Sequence, residues 1–65
     1  MTPNDLRHEL RRLGLSQPAL ARMLAVNERT ARRWASGDQP IPSAVEALLP
    51  RLDRAEAYAL LRAAS

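Results

Sequence analysis

The sequence predicts an all-α domain, a compact bundle of five helices, from three observations. Eleven leucines and many alanines accompany few β-branched and aromatic residues, and this balance favours helices over strands. Glycine and proline fall at points that divide the chain into short helical segments. A chain of 65 residues has room for a single core, because it buries only about 60% of the surface that it exposes when unfolded. We therefore predict one domain over residues 1–65.

The first predicted helix begins at Pro3 and ends near Gly14. Proline is tolerated in a first helical turn, and Thr2 precedes it at the predicted N-cap position. Apolar residues then recur at helical spacing, which gives the helix one buried face. The residues of this face are Leu6, Leu10 and Leu13.

Two short helices follow, at about residues 17–24 and 28–36. Ser16 is a good N-cap for the second helix, and Asn27 is a good N-cap for the third. The third helix is predicted to end at Gly37. The turn between them has about three residues, which is the spacing of a helix-turn-helix unit.

Residues 41–65 are predicted to form the last two helices, which pack on the core and provide a dimer contact. The first of them follows a turn-rich connection and is interrupted near Pro50. Asp53 and Glu56 have the spacing of a capping box that opens the final helix, which ends near Ala64. The apolar residues assigned to these helices are Val45, Leu48, Leu49, Tyr58, Leu60 and Leu61.

The third helix is strongly amphipathic when its residues are placed at intervals of about 100° around the helix axis. Its charged face carries Glu28, Arg29, Arg32 and Arg33. Ala31 and Trp34 lie on the opposite face, so we expect Trp34 to pack in the core rather than stack on a base. In the major groove of DNA, arginine bonds O6 and N7 of guanine and glutamate accepts from the cytosine amino group. The alternative is an ordinary surface ion pair between Glu28 and Arg32, which are four residues apart.

The segments LSQPALA at 15–21 and VNERT at 26–30, followed by Arg33-Trp34 and Gly37, resemble the Cro/CI-type helix-turn-helix family of phage and bacterial repressors. The resemblance implies a lambda-repressor-like fold in which Gln17 clamps a DNA phosphate and the start of the third helix reads bases. It also implies that Ala21 is small so that the second and third helices can approach closely.

Together the charged face and the resemblance give three sets of predicted site residues. The base-reading residues are Asn27, Glu28, Arg29, Arg32 and Arg33. The phosphate contacts are Ser16, Gln17, Arg22, Thr30 and Ser36. The dimer contacts are Tyr58 and Leu61. Other arginines are expected on the solvated surface, with one or two touching phosphates: Arg7, Arg11 and Arg12.

The sequence departs from the family pattern at two positions. Ala25 stands where the family usually has glycine, so the turn is either strained in a left-handed conformation or takes another one. Ala31 stands where the family often has valine or isoleucine, and we expect Trp34 to fill the space.

The net charge of +3 belongs to the part of the chain that holds this unit. Residues 1–40 contain seven arginines and four acidic residues, whereas residues 41–65 contain three of each. All ten basic residues are arginine. Arginine suits bidentate recognition of phosphate and guanine, although a GC-rich genome gives the same bias.

The function predicted from these features is a transcriptional repressor or autorepressor, typical of a phage or mobile element. It binds an inverted-repeat operator in double-stranded DNA as a homodimer. The alternative is an antitoxin-like module whose last two helices bind a partner protein, with or without DNA. An activator role would leave the same pattern in the sequence.

We expect no enzyme, cofactor or metal site. The sequence has no cysteine, His8 has no partner at metal-ligand spacing, and no serine has the constellation of a catalytic triad. No apolar run approaches the roughly 18 residues that span a membrane, and the N-terminus lacks the layout of a signal peptide. We therefore predict a cytoplasmic protein, in a bacterium or in the host of a phage.

Overall fold

The computed structural model describes residues 1–64, and within that range it contains five α-helices and no strand. The helices are α1 (Pro3–Leu13), α2 (Gln17–Leu24), α3 (Glu28–Ser36), α4 (Ser43–Leu48), which continues into a 3₁₀ turn (Leu49–Arg51), and α5 (Arg54–Ala63). The Cα radius of gyration is 10.6 Å. A compact domain of this length is expected to have about 11 Å. The predicted all-α bundle of five helices is confirmed.

Four helices begin at side-chain caps, as the sequence predicts. The caps are Thr2, Ser16, Asn27 and Asp53, and each accepts a hydrogen bond of 2.7–3.1 Å from a backbone N–H of its helix. At α1 the Thr2 backbone N–H also donates to the Asp5 carboxylate, and this bond holds the pKa of Asp5 below its usual value. The stabilisation from that bond is complete above the ordinary pKa of aspartate and is lost as the pH falls through the lowered one.

The core is built mainly from leucine and alanine. Its most deeply buried large side chains are Leu6, Leu20 and Leu49. Helix α5 contributes Ala57, which is fully buried, whereas its large apolar residues Tyr58 and Leu60 are 60% and 41% exposed. Leu48, which we expected α4 to bury, lies half-buried at the edge of the core.

Three arginines join helices by donating hydrogen bonds to backbone carbonyls near helix ends. Arg7 donates to the carbonyl of Ala35 in the last turn of α3. Arg12 donates to the carbonyl of Leu49 at 2.9 Å, and Arg54 to the carbonyl of Arg12 at 2.8 Å. Arg7 and Arg12 are exposed, as predicted, but each also bonds a distant backbone carbonyl, which the prediction did not include. The Arg7 guanidinium bonds a carbonyl in the last turn of α3, where a helix leaves carbonyls without an intrahelical partner. The Leu49 carbonyl that Arg12 bonds also accepts the Leu52 N–H at 3.2 Å.

The turn between α2 and α3 contains a left-handed alanine. Ala25 has φ 56° and ψ 41°, and it is the one residue other than glycine with positive φ in the described chain. Its N–H donates to the carbonyl of Arg22 at 3.2 Å, and the N–H of Val26 donates to the carbonyl of Ala21 at 2.9 Å. The sequence leaves open whether the turn at Ala25 is left-handed and strained or takes another conformation. The structure shows the left-handed, strained conformation.

Replacing Ala25 with glycine is expected to stabilise the domain by about 0.5–1 kcal/mol. The left-handed conformation costs an L-residue about 1–2 kcal/mol, and the greater freedom of glycine in the unfolded chain offsets about 0.4–1 kcal/mol of the gain. Urea denaturation measures the change. The control is Ala59→Gly at an exposed site inside α5, which is expected to destabilise by about 1 kcal/mol. Destabilisation by both variants would show that the turn is not left-handed in solution.

Candidate nucleic-acid interface

Helices α2 and α3 pack closely through small side chains. Ala21 of α2 and Ala31 of α3 are both buried, with 1% and 0% exposure, and the two helices form the most extensive helix pair in the described chain. A large side chain at either position would hold the helices apart. Ala21 therefore lies at a close contact between the two helices, where the resemblance to the Cro/CI-type family implies a small residue.

The outer face of α3 is exposed to solvent. All four charged residues predicted for this face are exposed, and Ser36 lies beside them: Glu28, Arg29, Arg32, Arg33 and Ser36. The opposite face is buried, and Trp34 on it is only 5% exposed. The predicted division of α3 into two faces is confirmed, and Trp34 packs in the core with Ala31 and Ala35. Its indole ring is therefore unavailable for stacking on a base.

The ion pair between Glu28 and Arg32 is present but loose. The Arg32 Nη1 and Glu28 Oε2 atoms lie 3.8 Å apart, and the two side chains are 60% and 53% exposed. An exposed pair of this spacing contributes only a few tenths of a kcal/mol, so a ligand can displace it easily. The guanidinium groups of Arg29 and Arg33 make no ion pair or hydrogen bond with residues 1–64.

Asn27 lies at the start of α3, and the oxygen of its side-chain amide already accepts a hydrogen bond. Its Oδ1 atom accepts the Arg29 backbone N–H at 2.8 Å and so caps the helix. Its side-chain NH₂ group remains as a donor, and donors suit the acceptors of guanine or thymine in the major groove. Asn27 can therefore cap the helix and contact a base at the same time.

A second group of polar residues gathers where α1 meets the start of α2. Arg7, Arg11, Ser16 and Gln17 line one shallow concavity on the surface. The Ser16 hydroxyl oxygen accepts the Ala19 N–H at 3.1 Å and keeps its own proton for another acceptor. The N-terminal end of a helix favours anions, and two guanidinium groups nearby reinforce that preference. The concavity therefore has the chemistry of a phosphate contact.

The sequence places Arg11 among the surface arginines of which one or two touch phosphates, and the structure places it in this concavity. Its relation to Arg7, four residues earlier on α1, places both arginines on one side of the helix. The three-residue connection from α1 to α2 then brings that side next to Ser16 and Gln17. The spacing of Arg7 and Arg11 indicates from the sequence that they share one side of α1. Their proximity to Ser16 and Gln17 could not be predicted, because it depends on the angle between α1 and α2.

The other predicted phosphate contacts lie outside this concavity. Arg22 is exposed on α2, and Thr30 is half-buried in the first turn of α3. Ser36 uses its hydroxyl at the end of α3, where it donates to the Arg33 carbonyl at 3.2 Å and accepts the Asp38 N–H at 3.4 Å. Contact with a phosphate would require the Ser36 hydroxyl to give up the first of these bonds.

The two residues predicted for a dimer contact differ in accessibility. Tyr58 is 60% exposed, whereas Leu61 is half-buried. Both line a groove beside α5, on a different part of the surface from the outer face of α3.

No protein-family model, curated protein or solved structure matches this chain. The resemblance to the Cro/CI-type family therefore depends on the motifs in the sequence.

In residues 1–64, no cluster of three or more histidine, aspartate or glutamate side chains is arranged to hold a metal ion. None of the helices described is long and apolar enough to cross a membrane.

Proposed function

We propose that this protein is a sequence-specific DNA-binding regulator of transcription that reads the major groove with α3. The observation that carries the proposal is the outer face of α3, where Arg29 and Arg33 are exposed and their guanidinium groups have no partner among residues 1–64. A helix held by one face while presenting unpaired guanidinium groups on the other has the layout of a groove-reading helix.

The dimensions and chemistry of α3 suit the groove. Its nine residues span about 14 Å, and a major groove about 12 Å wide admits an α-helix. Arg29 and Arg33 can each bond guanine through O6 and N7, and Glu28 can accept from a cytosine amino group. We therefore expect an operator with G·C pairs under the helix.

Contacts to the DNA backbone would orient the helix in the groove. The concavity lined by Arg11, Ser16 and Gln17 offers charge, a hydroxyl proton and the N-terminal end of α2 to a phosphate. Phosphate contacts carry no sequence information themselves, but they determine the register in which base-reading side chains meet the base pairs.

The resemblance to the Cro/CI-type family supports a more detailed proposal. Two copies bind an inverted repeat, place their α3 helices in successive major grooves about 34 Å apart, and repress transcription. The homodimer stays a prediction. The contact predicted for it through Tyr58 and Leu61 competes with the binding of a partner protein at the same groove.

Selection of bound sequences from random duplex DNA, at two salt concentrations, tests the proposal. We expect an enriched inverted repeat with G·C pairs in each half, because two related subunits read two related half-sites. Affinity is expected to fall with salt while the motif is retained. Salt-sensitive binding with no enriched motif would contradict base reading by α3 and leave only nonspecific attraction to phosphates.

Replacing Arg11 with alanine is expected to weaken binding equally at all DNA sequences. Loss of one phosphate contact lowers the slope of log affinity against log salt by about 0.9. Fluorescence anisotropy at several salt concentrations measures this slope. The matched control is Arg51→Ala, which removes an exposed arginine from the 3₁₀ turn and is expected to change the slope much less. Equal slopes for the wild type and Arg11→Ala would remove Arg11 from the interface.

A further inference from the structure

An apolar groove lies between α5 and the junction of α1 and α2. Six residues form its apolar lining: Leu13, Leu15, Ala19, Ala55, Tyr58 and Leu61. Tyr58 is the large exposed residue among them, with 60% of its surface exposed. Exposed tyrosine at a concave apolar surface is typical of sites that bind another protein.

The charged residue that lines this groove is cationic, and a second arginine lies beside Tyr58. Arg54 lines it and is held in place by the carbonyls of Arg12 and Arg11, at 2.8 and 3.4 Å. Those bonds use Nε and Nη2, so the Nη1 atom of Arg54 keeps its donors. The guanidinium carbon of Arg62 lies 5.7 Å from the centre of the Tyr58 ring. None of the residues that line the groove in the described chain is acidic.

This charge pattern argues against pairing of the groove with itself. In a two-fold dimer the same patch meets its copy, so a dimer centred on Tyr58 brings Arg54 and Arg62 of both subunits together. Like charges placed against each other oppose association. A segment with carboxylates on either side of an apolar residue meets no such repulsion.

We infer that this groove binds an acidic amphipathic segment of another protein in preference to a second copy of the chain. A large apolar side chain of the segment packs against Tyr58 and Leu61, while its carboxylates pair with Arg62 and with the remaining donors of Arg54. Arginine and carboxylate form charge-assisted bonds, which give the site its preference for acidic segments. This inference does not depend on DNA binding by α3.

Selection from a display library of random 12-residue peptides, against the full chain without DNA, tests the inference. We expect the bound peptides to be enriched in aspartate and glutamate next to leucine, phenylalanine or tryptophan. Tyr58→Ala is expected to weaken the best peptide at least about tenfold, as is typical of a tyrosine at the centre of an interface. A repeat of the selection on Arg62→Glu is expected to lose the enrichment in acidic residues.

Leu60→Ala is the matched control, because Leu60 is exposed on α5 but does not line the groove. It is expected to leave peptide affinity unchanged, and circular dichroism checks that each variant keeps its helical content. Peptides without acidic enrichment, equal effects of Tyr58→Ala and Leu60→Ala, or a selection that yields no binder would each overturn the inference. So would self-association of the chain that Tyr58→Ala abolishes, because a second copy would then occupy the groove.

Discussion

Trp34→Ala is expected to destabilise the domain by about 3–5 kcal/mol, the usual cost of removing a buried tryptophan. Trp34 is 5% exposed and anchors the inner face of α3 beside Ala31 and Ala35, whose small side chains cannot fill the space. A domain of 65 residues has about 3–10 kcal/mol of stability in total. The variant is therefore expected to be largely unfolded or close to it at 37 °C, as measured by urea denaturation and circular dichroism.

Two other variants separate packing from charge on the same helix. Trp34→Phe keeps an aromatic ring and is expected to lose less stability than Trp34→Ala. Arg32→Ala removes an exposed side chain from the outer face and is expected to change stability by less than about 0.5 kcal/mol. If Trp34→Ala lost no more stability than Arg32→Ala, the buried position of Trp34 would be wrong.

The double variant Arg29→Ala with Arg33→Ala is expected to weaken binding to the selected operator by about 2–6 kcal/mol. Each guanidinium that reads a guanine contributes about 1–3 kcal/mol of discrimination, and every 1.4 kcal/mol is a tenfold change in affinity. The preference for G·C at the contacted pairs is expected to relax as well. The stability of the domain is expected to change little, because both side chains are exposed and unpaired within residues 1–64.

The matched control for the double variant is Arg51→Ala, which removes one positive charge from the 3₁₀ turn instead of from α3. It is expected to reduce affinity slightly and to leave the operator preference intact. Measurements with the operator and with an unrelated duplex give the specificity ratio for each variant. An unchanged ratio in the double variant would show that α3 does not read bases through these arginines.

The ends of the helices could be predicted from the sequence because the signals that determine them are local. Thr2, Ser16 and Asn27 each bond a backbone N–H two or three residues later, so their effect is visible in a short window of sequence. The two faces of α3 follow from helical periodicity for the same reason. Glycine at 37 likewise marks the end of α3, where φ is 89°.

The features that the sequence did not reveal depend on contacts between distant residues. Arg7 and Ala35 are 28 residues apart, and Arg12 and Leu49 are 37 apart, so no local pattern relates them. Which side of α5 faces the core likewise depends on how the helix docks. Ala57 is buried there while the larger Tyr58 is exposed, which is the reverse of what hydrophobicity alone suggests.

The hydrogen bonds of Arg54 also bear on how the folded chain opens. They link α5 to the end of α1 across 42 and 43 residues, so they form only once these helices have docked. Interactions that are absent from the folding transition state slow unfolding without accelerating folding. We therefore expect Arg54→Ala to unfold faster than the wild type while folding at nearly the same rate, so that this arginine lengthens the lifetime of the native state.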